Sequence, residues 1–210
     1  MYHMPHFKEP DRNELITFMQ QYPFVTLIGV NDLQQAVATQ VPVFTDERDG
    51  KIYITGHIMR KTDHHRAFEQ NPQVLALFTG PHAYVSASWY NNPHQANTWN
   101  YMTVQARSTL RYLAEEHLHE LLKRTTNHFE KNQAHPSFFE QLENTYVADH
   151  IKAIVAFEME VESLEHVFKL SQNRDEKSYD TIVNQLGEQG GQAAELSAIM
   201  KARKHKVHFK

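Results

Sequence analysis

The spacing of apolar residues changes between two periods along the chain, and each period predicts one kind of element. Apolar positions three and four residues apart, bounded by caps and prolines, predict helices. Short runs of β-branched and aromatic residues predict strands. The predicted helices are 11–22, 60–71, 114–132, 179–186 and 193–203, with a short helical piece within 135–149. The predicted strands are 24–30, 36–44, 51–55, 74–79, 83–89, 98–113 and 151–167.

Glycine, proline and polar runs predict the connections between these elements. Pro42 interrupts the second strand, and we expect it at a sheet edge or a bulge. Residues 46–50 predict a turn, Gly80-Pro81 a second, tight turn, and residues 187–191 a flexible break. Since few helices separate the strands, the pattern favours an antiparallel meander that closes into a small barrel. The predicted fold class is therefore mainly β with peripheral helices, an α+β barrel.

The composition of the 210-residue chain excludes several classes of protein. The chain has no cysteine, which removes disulfide frameworks, thiolate metal sites and cysteine nucleophiles. Its net charge of −4 does not favour a nucleic-acid binder. We expect residues 1–168, with an inserted helix at about 114–150, to form a domain that residues 169–210 complete. With no long apolar run and a polar first segment, we expect no membrane span, no signal peptide and a cytoplasmic location.

The histidines and the basic C-terminal end offer less chemistry than their number suggests. None of the 15 histidines belongs to an HExxH-type helix or lies in a set of acidic ligands, so we interpret them as surface residues and predict no metal site. The basic residues from Lys201 to Lys210 are typical of a solvated last helical turn with a frayed tail. The chain also lacks GxSxG, P-loop and GxGxxG motifs, so we assign no catalytic residue.

The stretch from Thr55 to Thr62 carries the first candidate site. A predicted strand ends at Thr55, Gly56 follows, and the cations Arg60 and Lys61 stand at a predicted helix start. Backbone N–H groups and a positive helix end favour an anion there, and a phosphate is the natural ligand. The alternative interpretation is a solvated basic corner.

Aromatic residues form the second candidate site. Both tryptophans, Trp89 and Trp99, fall in one window with Tyr84, Tyr90 and Tyr101. Such side chains offer wide, rigid faces that suit stacking on a planar ligand. Ordinary packing of a barrel wall explains the same composition equally well.

The third candidate is the polar run Lys169–Arg174, which directly follows an apolar strand. A loop held by a rigid sheet positions polar groups well, so this run suits contacts to the edge of a ring. The alternative interpretation is an exposed turn.

Five separated motifs together resemble the PaiB-type family of FMN-binding split-barrel proteins. They occur in the family's order, as Met1–Phe7, Gly56–Arg60, Phe78–Tyr90, Thr98–Tyr101 and Lys169–Arg174. The resemblance runs from the N-terminus to the last helix, and it extends more remotely to pyridoxamine-phosphate-oxidase-type split barrels. The chain departs from the family pattern at Thr62, Asp63, His65, Ala87, Asn97, Gln105 and Ser108.

The resemblance implies a split β-barrel homodimer that binds FMN at the subunit interface. By analogy, Thr55, Arg60 and Lys61 would bind the flavin phosphate, and the strand 39–41 would lie along the flavin ring. The cofactor-binding residues that it implies are Thr39, Gln40, Val41, Thr55, Gly56, His57, Arg60, Lys61, Trp99, Asn100, Tyr101, Lys169, Gln172, Asn173 and Arg174.

Two classes of function remain open for such a chain. The first is a flavin-dependent oxidoreductase-like protein of unknown substrate, in which Lys169 and Arg174 stabilise the reduced flavin. The second, implied by the resemblance, is a negative transcriptional regulator. The chain has no recognisable helix-turn-helix, so direct DNA binding is weakly supported, and regulation through a protein partner or through the state of the flavin stays open. A haem- or metal-binding split barrel ranks last.

Overall fold

The computed structural model describes residues 1, 4–92 and 94–209, which form seven strands and six α-helices. The strands are β1 (Phe24–Val30), β2 (Ala36–Arg48), β3 (Lys51–Met59), β4 (Gln73–Val85), β5 (Thr98–Tyr112), β6 (Ile154–Glu160) and β7 (Ser163–Lys169). The helices are α1 (Arg12–Gln21), α2 (Asp63–Gln70), α3 (Glu115–Glu130), α4 (Asn144–Ile151), α5 (Glu176–Gln189) and α6 (Gly191–Arg203). No helix in this part of the chain is both long and apolar enough to span a bilayer.

The strands form one sheet in the order β4-β1-β2-β3-β6-β5-β7, and β4 also pairs with β5, so the strand order closes on itself. The pairs β1–β2, β1–β4, β2–β3, β3–β6 and β5–β6 are all antiparallel. The mainly β fold with peripheral helices that the sequence predicts is therefore confirmed.

The chain divides into two compact units. Unit A comprises Met1–Phe18, Phe78–Gln105 and Glu165–Lys210, and unit B comprises Met19–Leu77 and Ala106–Leu164. Each unit has its own buried residues, and the candidate groups fall into one unit or the other.

Unit B packs helices α2 and α3 on its strands. Phe68 of α2 lies directly on β1 at Gly29, where a Cβ atom would come within 2.6 Å of the phenyl ring. The apolar side of α3 buries Leu118 and Leu121 against Ala156 of β6. Helix α2 is thus held by its inner face, and the loop before it is fixed to the sheet.

Unit A is organised around the antiparallel pair α5 and α6. Tyr179 donates a hydrogen bond from its hydroxyl to the carbonyl of Met200 (2.8 Å), and Ser197 donates to the carbonyl of Val183 (2.6 Å). Both bonds are buried, which ties the helices together without leaving polar atoms unsatisfied. The flexible break predicted at 187–191 is shorter than expected, because α5 continues to Gln189 before the chain reverses.

Strand β2 is continuous through Pro42, contrary to the predicted break. Residues up to Pro42 pair with β1, and those from Val43 onward pair with β3. Pro42 therefore stands where the strand changes partners, and its missing N–H removes no bond from either ladder. The predicted turn at 46–50 is also shorter, since only Asp49 and Gly50 lie between the strands, both with positive φ.

Three other strand boundaries were predicted wrongly. Strand β3 continues to Met59 instead of ending at Thr55. Strand β4 runs unbroken through the predicted turn at Gly80-Pro81, because Gly80 serves close packing: a Cβ atom there would lie 2.6 Å from the Phe18 ring. The single strand predicted over 151–167 is two strands, β6 and β7, because the chain bends after Glu160.

The basic C-terminal end is paired, and the predicted frayed tail is wrong for its described residues. Arg203 and Lys206 both form ion pairs with Glu9 and Glu14 of the N-terminal segment. Lys204 pairs with Asp180 at 2.7 Å. The tail is therefore held to unit A by charge rather than left in solvent, and Lys210 lies outside the described residues.

Candidate functional site

The loop between β3 and α2 presents two cations whose charged ends are open. The backbone N–H of Arg60 donates to the carbonyl of Ala153, and its Nε donates to the carbonyl of Ile154, both at 2.8 Å. These bonds fix the side chain and leave the outer guanidinium nitrogens for a ligand. Among the described residues, neither those nitrogens nor the Lys61 ammonium has a hydrogen-bond or ion-pair partner. The donor set fits a phosphate.

Helix α2 begins directly after these cations. Thr62 is its N-cap, and its Oγ1 accepts a hydrogen bond from the backbone N–H of His65 (3.3 Å). Lys61 has φ +64°, a left-handed turn that ends the strand before the helix. Asp63 in the first turn opposes an anion, because hydrogen bonds from His64 lower the pKa of Asp63 and keep it ionised. The loop is therefore basic with one carboxylate beside it.

Thr55 supplies a buried hydroxyl on β3, the strand that precedes Arg60. Its Oγ1 is buried and has no hydrogen-bond partner within the described chain, which is costly unless a ligand completes it. Gly56 and His57, predicted to leave the strand, lie within the β3 ladder instead. Gly56 serves packing, since a Cβ atom there would lie 2.8 Å from the Phe157 ring. Burial lowers the pKa of His57, so its imidazole stays neutral.

The segment Thr39, Gln40 and Val41 lies in the part of β2 that pairs only with β1 among the described strands. Its partners are Leu27, Thr26 and Val25, and pairing with β3 starts after Pro42. A strand with one ladder has backbone donors and acceptors on its other edge. The segment is thus suited to hydrogen bonding with a flat polar ligand.

His65 contradicts the prediction of surface histidines. It is 7% exposed, and both ring nitrogens lack a hydrogen-bond partner in the part of the chain that the structure describes. Its ring stacks on Tyr112 with centroids 5.0 Å apart, and the nearest Glu69 oxygen is 3.5 Å away. Burial lowers the pKa of His65, outweighing the opposite effect of Glu69. A neutral imidazole therefore sits beneath the start of α2.

In unit A, a second cluster lines a cavity of about 230 Å³ at the end of β7. Asn100 is fully buried; its amide donates to the Met200 sulfur (3.6 Å), and its carbonyl accepts from the Ser171 hydroxyl (3.0 Å). Ser171 has φ +61°, so this bond holds a strained loop residue. Asn100 therefore fixes the loop, and its neighbour Asn173 lines the cavity with it.

Two cations face this smaller cavity. Lys169 donates from Nζ to the Thr98 hydroxyl, and burial followed by the nearby Arg174 lowers the pKa of Lys169. The Arg174 guanidinium lies 4.1 Å over the Tyr90 ring and donates to the side-chain carbonyl of Gln95. Two like charges held together in a partly buried cavity favour an anionic ligand.

The other predicted residues of unit A have different surroundings. Gln172 folds back into its own loop: Oε1 accepts from the Leu170 N–H (2.7 Å) and Nε2 donates to the Phe168 carbonyl (2.6 Å). Trp99 is 52% exposed and meets Tyr84 edge-on at 6.1 Å. Tyr101 is partly buried on the same strand.

The predicted residues thus form two groups. The residues from Thr39 to Lys61 belong to unit B, and those from Trp99 to Arg174 belong to unit A. Ser171 is not among the predicted site residues, although it lies inside the predicted loop, and neither is Gln95, the partner of Arg174. Only the polarity of the 91–97 loop hinted at Gln95. No group of three or more metal-binding side chains occurs among the residues described.

Comparison with known proteins identifies the family. Residues 1–163 match the model of a family described as "Putative FMN-binding domain". The chain is also 32% identical over 202 residues to "Protease synthase and sporulation protein PAI 2" of Bacillus subtilis (strain 168), covering 96% of this chain and 97% of the relative. The chain therefore belongs to the PaiB-type FMN-binding family, whose cofactor is FMN or a related flavin.

Solved structures support the fold. The flavocytochrome Anf3 from Azotobacter vinelandii is similar with a TM-score of 0.58 at 14% identity, over 82% of this chain and 74% of that one. The FAD and heme binding protein from Mycobacterium smegmatis gives a TM-score of 0.54 at 14% identity, over 77% of this chain and 72% of that one. At this identity the similarity concerns the fold alone, and it confirms the predicted split barrel.

Replacing His65 by phenylalanine should remove part of the pH dependence of folding. A histidine whose folded pKa is lowered gives its full stability above its unfolded value near 6.5 and loses stability as the pH falls through that value. His65→Phe should therefore lose less stability than the parent between pH 7.5 and 5. It should also gain about 1 kcal/mol at pH 7.5, because no polar ring nitrogen is left unsatisfied.

Urea unfolding at several pH values measures this effect. His117→Phe, at an exposed position of α3, is the matched control and should follow the parent. An equal pH slope in the parent and in His65→Phe would contradict a neutral, buried His65.

Proposed function

We propose that this protein is a flavin-dependent oxidoreductase-like protein that binds FMN, with the cations of the loop between β3 and α2 holding the phosphate. The observation that carries the proposal is the pair Arg60 and Lys61, whose charged ends have no partner among the described residues. A phosphate monoester is the part of FMN that such a pair binds best. The Thr55 hydroxyl, which has no hydrogen-bond partner among the described residues, adds a donor on β3, the strand that leads to this pair.

The second group, in unit A, suits the ring of a flavin. The flavin ring carries carbonyl and imide groups on one edge, and it becomes anionic there on reduction. Lys169 and Arg174 supply positive charge and Asn173 an amide. In unit B, the open edge of 39–41 offers backbone groups to a flat polar ligand. Bound flavin supplies the electron or hydride transfer, while these residues orient it and set its electrostatics.

We further propose a homodimer with FMN at the subunit interface. Trp99 and Tyr84 are 52% and 43% exposed and touch edge to face, so a large aromatic surface of unit A lies in solvent. A second copy of the chain is a natural cover for such a surface, since most soluble oligomers are symmetric homo-oligomers. The dimer would let two copies share the groups of one flavin site.

A second candidate function comes from the Bacillus relative, whose name concerns protease synthesis and sporulation. A regulator of gene expression could use a flavin site to sense redox state. The net charge of −4 disfavours direct DNA binding, so such a regulator would act through a protein partner.

The double variant Arg60→Ala/Lys61→Ala should lose FMN. Each charge-assisted hydrogen bond contributes about 1.5–3 kcal/mol, so removing both cations should weaken binding by roughly a hundredfold or more. Quenching of flavin fluorescence during titration of the apoprotein gives the dissociation constant. Lys131→Ala/Lys201→Ala removes the same charge from exposed positions and should bind like the parent.

Equal affinity in the parent and the double variant would refute the phosphate assignment. A parent that takes up no flavin would refute the oxidoreductase proposal. If that colourless protein shifted DNA in a salt-dependent manner, the regulator would be the supported function.

Lys169→Ala should make bound FMN harder to reduce. The lost positive charge destabilises the reduced, anionic ring, and about 1.4 kcal/mol corresponds to roughly 30 mV for a two-electron couple. We therefore expect a drop of about 30 mV or more in the midpoint potential, measured by spectroelectrochemistry. Lys177→Ala, an exposed lysine of α5, is the control, and equal potentials in all three proteins would place Lys169 away from the ring.

Trp99→Ala/Tyr84→Ala should shift the protein from dimer to monomer. The two side chains present aromatic surface that only a partner copy would cover. Sedimentation velocity at micromolar concentration measures the change, with Phe24→Ala, an exposed aromatic of unit B, as the control. A parent that sediments as a monomer would contradict the dimer.

A further inference from the structure

Unit A holds a larger cavity, of about 570 Å³, beside the loop that follows β7. The N-terminal segment, this loop and the C-terminal tail form its walls. Its volume lies in the range of small-molecule sites, which is roughly 300–1,000 Å³. None of the charged residues that line this cavity belongs to the two groups proposed to bind FMN.

Lys8 brings an unneutralised charge to this cavity. Its Nζ donates to the backbone carbonyl of His166 at 2.9 Å, a neutral acceptor. Among the described residues no carboxylate forms an ion pair with it. The His166 ring accepts from the Glu9 N–H (2.7 Å), and burial lowers the pKa of His166, so this imidazole is neutral. The ammonium can therefore donate to a ligand.

The carboxylates of the cavity are already engaged. Glu9 has a side chain 1% exposed; it accepts from the Asp11 N–H (2.9 Å) and pairs with Arg203 and Lys206. The pKa of Glu9 falls to about 2, since these bonds outweigh its burial. Asp11 accepts from the Asn13 N–H (2.9 Å) at the start of α1. The buried Glu9 is satisfied by protein donors, whereas the Lys8 ammonium has only a neutral acceptor among the described residues, so the cavity offers a ligand a charged donor.

Part of the lining is apolar. Pro5, Pro10, Leu170 and Val207 contribute rings and branched side chains between the charged groups. An apolar wall with a few convergent donors is typical of a site for an organic molecule. The ligand that matches is a small organic anion, a carboxylate or phosphate monoester on an apolar body.

The loop 169–174 has one face in each cavity. Leu170 and Gln172 line the larger cavity, whereas Lys169, Asn173 and Arg174 line the smaller one. Gln172 closes the loop by bonding the backbone at Leu170 and Phe168. A ligand that contacts Gln172 would therefore shift the loop, and with it Lys169, Asn173 and Arg174, which are assigned to the flavin.

We propose that the larger cavity is a second site, for a small organic anion, and that its occupancy changes flavin affinity through the loop 169–174. The coupling rests on the proposed function, whereas the site itself does not. Binding to both sites must be reciprocal if they share the loop, with typical couplings of about 5- to 150-fold.

Benzoate and phenyl phosphate are the probes, with benzylamine as the cationic counterpart. Isothermal titration calorimetry on the flavin-free protein should show saturable binding of benzoate or phenyl phosphate. Benzylamine should not bind. Lys8→Gln keeps a donor for the His166 carbonyl and Val207→Trp fills the cavity, so each should weaken the anion at least tenfold. Lys177→Gln should bind it like the parent.

Absence of anion binding, or binding unchanged in both cavity variants, overturns the site. Repeating the titration with saturating FMN should change the anion affinity at least threefold. Equal affinity with and without FMN overturns the coupling, while a protein that takes up no FMN refutes the proposed function and leaves the anion result standing.

Discussion

Strand β2 pairs with two neighbouring strands in succession, and the change of partner falls at a proline. Its first half completes a ladder with β1 and its second half a ladder with β3, and Pro42 stands at the junction. A proline in the middle of one ladder would remove a bond, whereas here neither ladder loses one. The same junction leaves one edge of residues 39–41 open and directs β3 towards the loop at Arg60. The candidate flavin site of unit B therefore depends on this single change of partner.

Charge is distributed unevenly between the functional and the structural parts of the chain. Arg203 and Lys206 are neutralised by carboxylates and hold the tail in place. No carboxylate in the described part of the chain pairs with Arg60 or Lys61, and Lys169 is partly desolvated beside a second cation. Unpaired or crowded cations reduce stability unless an anion arrives, so they mark positions where binding, rather than folding, explains the residue.

Much of the fold followed from the sequence, because element type depends on local periodicity. The long strand β5 and the helices α1 and α3 were predicted nearly to the residue. Errors arose where distant contacts decide: Gly80 looks like a turn residue but makes room for the Phe18 ring, and His65 looks like a surface residue but stacks on Tyr112. No local pattern contains those partners.

The candidate site was also predictable in part, but from residue chemistry and family resemblance and not from local periodicity. The cations and the loop 169–174 were identified from residue chemistry and from the resemblance to a family. The bond from Ser171 to Asn100 joins positions 71 residues apart, and the reach of Arg174 to Gln95 spans 79. Only the folded chain reveals that such residues fix the loop.

The ion pair between Glu9 and Arg203 also determines when unit A can finish folding during synthesis. These residues are 194 positions apart, so the first must wait for the second to be made. At typical elongation speeds of about 5–20 residues per second, the delay is on the order of 10–40 s. Unit B, which ends at Leu164, emerges earlier. The nascent N-terminal segment is therefore exposed to chaperones and proteases until the last helix leaves the ribosome.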